Sequence, residues 1–149
     1  MQIREMKDED APFLAAIEQA TFSQPWPEQA FKDALSDPNA FFFVAAEEET
    51  DRPLSYVGMY VAADEGEITN VATDPAFRRQ GLAEAVLARA KEIGEKKGLT
   101  QLVLETRKSN AAAIALYEKT GFAIIGERKR FYQFPPEDAY VMMLRYVDA

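Results

Sequence analysis

The spacing of hydrophobic and polar residues changes from the period of a strand to that of a helix in the first forty positions. MQIREM predicts a short strand, and DEDAPFLAAIEQATF, with apolar residues three or four apart, predicts a helix. The expected buried face of this helix comprises Phe13, Leu14, Ile17 and Ala20. SQPWPEQAFKDALSD predicts a second, shorter helix, because Phe31 and Leu35 lie four residues apart.

Three strand-like segments with short polar connections fill the middle of the chain. They are AFFFVAAEE, LSYVGMYVAAD and GEITNVATD, and their short connections predict an antiparallel meander. The longest predicted helix, LAEAVLARAKEIGEKKG, follows and leads to the strand TQLVLETR. Because a helical excursion usually joins parallel strands, GEITNVATD and TQLVLETR are expected to be parallel neighbours.

The last third predicts one helix and two strands. SNAAAIALYEKTG has a Ser/Asn cap and a closing glycine, while FAIIGERKRFYQ and AYVMMLRY read as strands on either side of FPPED. No linker or internal repeat divides the 149 residues, which is a usual length for one domain. We therefore expect a single domain over residues 1–149, with a mixed α/β sheet flanked by helices.

Composition excludes several kinds of chemistry. The chain has no cysteine and no histidine, so disulfides, thiol nucleophiles, imidazole triads and Cys/His zinc sites are ruled out, and no metal is expected. The net charge of -8 argues against nonspecific nucleic-acid binding. It fits the attraction of a cationic substrate, although it is equally explained by solubility.

The beginning of the chain, MQIREMKDEDAPFL, lacks the apolar core of a signal peptide. No apolar run approaches the roughly 20 residues that span a bilayer. We therefore expect a cytoplasmic protein that does not associate with membranes.

The segment FRRQGLAEA places two arginines and a glycine at the start of the longest helix. Free backbone N–H groups and the helix dipole already favour anions there, so the added cations are typical of a phosphate site. Close packing at Gly81 and Ala83 is the alternative explanation.

This segment and its context resemble the Gcn5-related N-acetyltransferases, whose signature Arg/Gln-x-x-Gly-x-Gly/Ala is matched by Arg78, Gly81 and Ala83. The chain is more closely similar to the RimI-like ribosomal-protein-alanine N-acetyltransferases. That resemblance runs through FSQPWPEQAF, NVATDPAFRRQGLA, LETRKSNAAAIALYEKTGF and RFYQFPPEDAYVMML. Two departures are Ala83, where many members have glycine, and Thr73, where a branched aliphatic residue is common.

The resemblance implies a mixed, mostly antiparallel sheet with two splayed central parallel strands and about four helices. It also implies acetyl coenzyme A as cosubstrate, with its pantetheine arm between the splayed strands and its pyrophosphate on the turn before the helix. The implied cofactor-binding residues are Val71, Ala72, Thr73, Arg78, Arg79, Gln80, Gly81, Leu82, Ala83, Glu84 and Asn110. Val71 or Ala72 would supply the N–H for the thioester oxygen, and Asn110 could equally be only a helix cap.

By the same resemblance, Glu105 is the expected proton acceptor and Tyr117 the expected proton donor. Strand alternation puts Glu105 on the face opposite Leu104. An ion pair between Glu105 and Arg107 is the alternative for the first residue. Packing as a core aromatic is the alternative for Tyr117.

PWPEQAF and RKRFYQFPPEDAY resemble the segments that flank the family's acceptor groove. Trp26 and Tyr132 are therefore expected on the substrate side, and Tyr132 more so because it stands at the loop end of its strand beside two prolines. Packing as core aromatics is the alternative for both, and it is the expectation for Phe31. The implied reaction is direct acetyl transfer, in a ternary complex, to a protein N-terminal α-amine. The implied acceptor is the N-terminal alanine of a small-subunit ribosomal protein with a basic tail.

The intrinsic acidities of amines point the same way. The pKa of an α-amine is about 8, close to physiological pH, so a sizeable fraction of the amine is uncharged. The pKa of lysine, near 10.4, lies about three units above that pH. Acetylation of lysine or of a small molecule, and a noncatalytic coenzyme A sensor, remain the alternatives.

Overall fold

A computed structural model, which describes residues 1–146, contains one seven-stranded sheet in the order β1-β2-β3-β4-β5-β7-β6. The strands are β1 (Gln2–Glu5), β2 (Ala40–Ala46), β3 (Pro53–Ala62), β4 (Glu65–Thr73), β5 (Gln101–Arg107), β6 (Ala123–Gln133) and β7 (Pro136–Arg145). The helices are α1 (Ala11–Thr21), α2 (Glu28–Leu35), α3 (Leu82–Lys96) and α4 (Ala111–Lys119). In this part of the chain, no helix has the length and apolar character to cross a membrane.

The two central parallel strands part soon after they meet. β4 and β5 pair only from Glu65 to Glu67, opposite Gln101 to Val103. Beyond that point β4 stays paired with β3 as far as Thr73, and β5 stays paired with β7 as far as Arg107. All other neighbouring pairs are antiparallel. The predicted mixed sheet with splayed parallel strands is therefore confirmed.

A β-bulge on β4 changes which side chains face each layer. Met59 lies opposite Ile68, but Gly58 lies opposite Asn70, so Thr69 is an extra residue on β4. Ile68 consequently faces the layer of α3, whereas Ala72 faces the layer of α1 and α2.

The two faces of the sheet bury separate hydrophobic clusters. The cluster beneath α3 and α4, here called the α3 layer, packs helix residues such as Val86 and Ala90 against Leu102 and Leu104 of β5. The cluster beneath α1 and α2, here called the α1 layer, includes Leu14, Phe31 and Tyr56. Side chains on β5 that point away from the α3 layer therefore lie on the same face as α1 and α2.

Several side chains differ from the sequence-based expectation. Phe13 and Ala20 of α1 are exposed, because the helix turns Leu14, Ile17 and the carboxyl group of Glu18 toward the sheet. On α2, Leu35 is 42% exposed: it is the last residue of a short helix whose buried face is formed by the pair Phe31 and Ala34.

The final hairpin is also tighter than expected. β7 begins at Pro136, inside the FPPED segment, because Pro136 already pairs with Gln133 across the turn.

Gly58 is held at a close approach between β3 and an aromatic cluster. A Cβ at this position would overlap the Phe42 ring, which packs against Trp26 at 5.8 Å. We expect Gly58→Ala to lower the free energy of unfolding by about 1–3 kcal/mol, the usual cost of overpacking, as measured by urea denaturation. Gly126→Ala is the control, because a Cβ there meets nothing within 4 Å. An equal effect at both glycines would contradict this account of the packing.

Candidate functional site

A short anchored turn connects β4 to α3. Pro75–Phe77 forms a 3-10 turn capped by Asp74, whose Oδ1 accepts a hydrogen bond from the Ala76 N–H at 3.0 Å. Arg52 holds the other carboxylate oxygen of Asp74 at 3.1 Å. The turn is thereby fixed to the start of β3, and the exposed residues Arg78 to Gln80 follow it directly.

The start of α3 has the geometry of an anion site. Gly81 precedes the helix in the left-handed region at φ 77°, and nothing lies within 4 Å of the position that a Cβ would take. The backbone N–H groups of the first helical turn have no acceptor within the helix. Open space, free donors and the arginines beside them fit a phosphate group.

Three residues in that first turn contribute through the backbone. Leu82 buries its side chain, and the Glu84 carboxylate pairs with Lys119 of α4 at 3.1 Å. The Ala83 side chain is only a methyl group and carries no polar atom. The expectation that residues 82–84 bind a phosphate therefore depends on their N–H groups.

The parted end of β4 borders a gap in the sheet. The Val71 side chain packs on the α3 layer, Ala72 is buried in the α1 layer, and the Thr73 hydroxyl hydrogen-bonds to Ser55 at 2.9 Å. Beyond Glu67, the backbone groups of β4 that point toward β5 have no strand partner. An extended ligand could bind to them as an added strand would.

Glu105 lies across this gap, half-buried on the face opposite Leu102 and Leu104, as alternation predicted. Its carboxylate lies 3.8 Å from Nε of Arg128 on β6. Arg107 instead donates to Glu137 at 3.1 Å and to two backbone carbonyls of the β6–β7 turn. The alternative of a Glu105–Arg107 pair is therefore wrong, because the turn engages the guanidinium.

The surroundings of Glu105 favour its protonated form. Burial raises the pKa of Glu105, the charge of Glu67 raises it further, and Arg128 opposes both effects. Glu67 occupies the last paired position of β4, opposite Val103, and so shares a face with Glu105. A raised pKa makes the carboxylate a stronger base once it is ionised.

Tyr117 lies on the other side of the gap, within the α3 layer. Its ring is 6.1 Å from that of Phe122, so it does pack as a core aromatic. Burial raises the pKa of Tyr117, and the charge of Tyr132 raises it further. Within residues 1–146 the Tyr117 hydroxyl has no hydrogen-bond acceptor, and it remains a protonated potential donor.

Tyr132 is near both expected catalytic residues. The Arg107 guanidinium stacks over its ring at 4.3 Å from the centroid. Burial and then the charge of Glu105 raise the pKa of Tyr132 to about 12. The charge of Glu105 thus acts on Tyr132, and that of Tyr132 acts on Tyr117.

Trp26 packs in the α1 layer, and Asn110 lies at the start of α4. Trp26 is half-buried in the α1 layer, 5.2 Å from Phe31, which is fully buried as expected. Asn110 caps α4, since its Oδ1 accepts the Ala113 N–H at 3.1 Å. Asn110 therefore does cap the helix, through its side-chain oxygen. The cap does not use its exposed amide NH₂ group.

Sequence patterns missed two acidic residues of this region. Glu67 looks like a solvent-facing strand position, and only its register with β5 places it beside Glu105. Glu18 falls on the apolar face of α1, four residues after Leu14, and that spacing was a usable signal for a buried carboxyl group.

A model of the acetyltransferase (GNAT) family matches residues 5–122. The [ribosomal protein bS18]-alanine N-acetyltransferase of Escherichia coli strain K12 is 35% identical over 144 residues, covering 95% of each chain. The enzyme of the same name from Salmonella typhimurium is 36% identical over 137 residues, covering 91% of this chain and 90% of the relative.

A solved structure agrees with these relatives. The crystal structure of the ribosomal-protein-S18-alanine N-acetyltransferase from Escherichia coli matches with a TM-score of 0.88 and 34% identity. The match covers 99% of this chain and 95% of that one.

The influence of Glu67 on Glu105 can be measured directly. We expect Glu67→Gln to lower the pKa of Glu105, because it removes a like charge, as followed by carbon NMR titration of the side-chain carboxyl. Glu65→Gln is the matched control, since Glu65 lies two residues away on β4 and accepts a hydrogen bond from Gln101 at 2.9 Å. An unchanged Glu105 titration in Glu67→Gln would show that the charge of Glu67 does not contribute to this pKa.

Proposed function

Because the chain belongs to the acetyltransferase (GNAT) family, we propose that it transfers an acetyl group from acetyl coenzyme A to the N-terminal alanine of a small-subunit ribosomal protein. The observation that carries this proposal is the parting of β4 and β5 between a helix start suited to phosphate and the half-buried Glu105. The names of the Escherichia coli and Salmonella relatives support this acceptor. A ribosomal acceptor in turn implies that the enzyme acts in the cytoplasm.

The proposed cosubstrate site follows the gap from one end to the other. Arg78, Arg79, Gln80 and the N–H groups from Gly81 to Glu84 would hold the pyrophosphate. The parted backbone from Val71 to Thr73 would hold the pantetheine arm, with Val71 or Ala72 donating to the thioester oxygen. Asn110 would contribute its free amide NH₂ group. When bound there, acetyl coenzyme A supplies an activated acetyl group.

Proton transfers in this proposal use residues of the chain and solvent water. Glu105 accepts one proton from the acceptor ammonium, directly or through water, and Tyr117 donates one to the leaving sulfur. The second proton that the nitrogen releases after attack passes through solvent and restores the Tyr117 hydroxyl. Since the chain has no cysteine, no acyl thioester forms on the enzyme, and the amine attacks directly in a ternary complex. The raised pKa of Glu105 suits it to an α-amine, whose pKa is about 8.

Charge favours a cationic acceptor on the face of α1 and α2. Glu67 and Glu105 lie on that face, while the phosphate-binding arginines lie beyond the far end of β4. Trp26 and Tyr132 would border the acceptor on its two sides. The two ligands would thus occupy oppositely charged ends of one cleft.

A peptide panel tests the proposed acceptor. The values of kcat/KM are compared for an alanine peptide with following basic residues, the same peptide with acidic residues, and an N-blocked control offering only lysine. The basic free-amine peptide should be the best, and added salt should weaken its capture. Preference for the blocked lysine peptide would overturn the α-amine assignment.

Removal of the proposed base should affect turnover rather than binding. Glu105→Gln is expected to lower kcat by about 10²–10⁴-fold while the Kd for acetyl coenzyme A stays nearly unchanged. In the wild type, kcat/KM should fall as the pH drops through the raised pKa of Glu105, because protonation removes the base. This acid limb should be absent in the mutant. A mutant that keeps both the rate and the limb would make Glu105 structural.

The phosphate site is tested by a pair of glycines at the two ends of α3. Gly81 and Gly98 both have positive φ, and a Cβ meets nothing within 4 Å at either position. Valine should therefore strain the backbone similarly at both. Only Gly81→Val should also weaken acetyl coenzyme A binding, by about tenfold or more in calorimetric titration, because its side chain fills the approach to the helix start. Equal affinities in the two variants would remove this loop from the cosubstrate site.

A further inference from the structure

The reaction proposed above makes no use of Glu18, one of the most deeply buried polar residues in the described part of the chain. Glu18 lies on α1, is 2% exposed and faces the sheet within the α1 layer. Its hydrogen-bond partners among residues 1–146 are all uncharged groups. Burying a carboxyl group without a cation is unfavourable unless strong hydrogen bonds compensate for it.

One oxygen of this carboxyl group fixes the connection between α1 and α2. Glu18 Oε1 accepts the backbone N–H of Trp26 at 3.0 Å. Pro25 and Pro27 have no amide hydrogen, so Trp26 supplies the only backbone donor of residues 25–27. The Trp26 segment, defined as residues 22–27, is thus bonded to the body of the protein through Glu18.

The other oxygen reaches the parted strand β4. Glu18 Oε2 accepts the Tyr56 hydroxyl and a longer contact from Nδ2 of Asn70 at 3.5 Å. Burial and then the charge of Glu18 raise the pKa of Tyr56, which keeps its hydroxyl a donor. Asn70 follows the bulge at Thr69 and immediately precedes Val71, at the edge of the gap.

We propose that Glu18 is a positioning residue for the acceptor, which sets the spacing between the Trp26 segment and the parted end of β4. This inference rests on the proposed function, because it requires the acceptor to bind between that segment and the gap. The three groups around the carboxyl are all donors. An amide at this position must turn its own NH₂ group toward at least one of them, and this frees either the segment or the strand.

Two variants with the same chemical change separate positioning from general stability. Glu18→Gln alters the hydrogen bonds by which Glu18 joins the Trp26 segment to β4, here called the Glu18 bridge. Asp10→Asn alters another buried carboxyl group, 3% exposed, which accepts hydrogen bonds from Arg4 and from the Lys7 N–H. Trp26 is the only tryptophan, so acrylamide quenching of its fluorescence reports on the Trp26 segment directly. The KM of the acceptor peptide and the Kd of acetyl coenzyme A are measured on the same proteins.

Glu18→Gln should increase the quenching of Trp26 and raise the peptide KM about tenfold, the effect of losing one hydrogen bond to a charged group. Its Kd for acetyl coenzyme A should stay within about twofold. Asp10→Asn should lower the free energy of unfolding yet leave quenching and peptide KM near the wild-type values. If Glu18→Gln leaves either the quenching or the KM unchanged, or if both variants raise KM equally, the proposal is wrong.

If Glu18→Gln does not fold, hydrogen exchange in the wild-type protein tests the hydrogen bond between Glu18 and the Trp26 amide. The Trp26 amide should exchange with deuterium on the order of 100-fold more slowly than an unprotected amide, although it lies in a connecting segment. Exchange of the Trp26 amide at the unprotected rate would show that Glu18 does not hold this segment, and the proposal would be wrong. If the wild type acetylates no N-terminal peptide, the proposed function fails, whereas quenching and exchange still report on the bridge itself.

Discussion

The early separation of β4 from β5 is the constraint on which the whole site depends. Two adjacent parallel strands that part after three residue pairs leave backbone donors and acceptors facing a gap inside the sheet. β4 remains hydrogen-bonded to β3, and β5 remains hydrogen-bonded to β7, so a paired strand lies on each side of the gap. A narrow ligand with amide groups along its length can satisfy such edges where a folded side chain could not. The proposed phosphate-binding turn follows β4, and the proposed catalytic carboxylate lies on β5, so the same two strands place both.

Local charge opposes the overall charge at one end of this gap and follows it at the other. The chain carries a net charge of -8, yet Arg78 and Arg79 stand exposed where β4 leads into α3. On the face of α1 and α2, Glu67 and Glu105 make the local potential more negative, and Arg128 partly offsets the charge of Glu105. Because exposed charges are screened beyond about 8 Å at physiological ionic strength, we expect each proposed ligand to respond mainly to the charges at its own end of the gap.

The order of helices and strands was predictable from hydrophobic periodicity, and the loop before α3 from its arginines and glycine. Periodicity could not reveal the bulge at Thr69, which reverses the inward and outward sides of β4. Nor could it place Glu67 beside Glu105, because that proximity comes from register between strands more than thirty residues apart. Glu18 is a different case: its position on the apolar face of α1 indicated burial, but its hydrogen-bond partners lie on other elements and could be identified only from the structure.

Amide hydrogen exchange with and without acetyl coenzyme A tests most directly whether the gap itself receives the cosubstrate. Bound ligand should slow exchange at the gap-facing backbone amides of residues 71–73 and at the amides of residues 80–84. The already paired start of β4, at residues 65–67, should exchange as before. Saturating acetyl coenzyme A that leaves residues 71–73 unprotected, or that protects only amides away from the gap, would contradict the account.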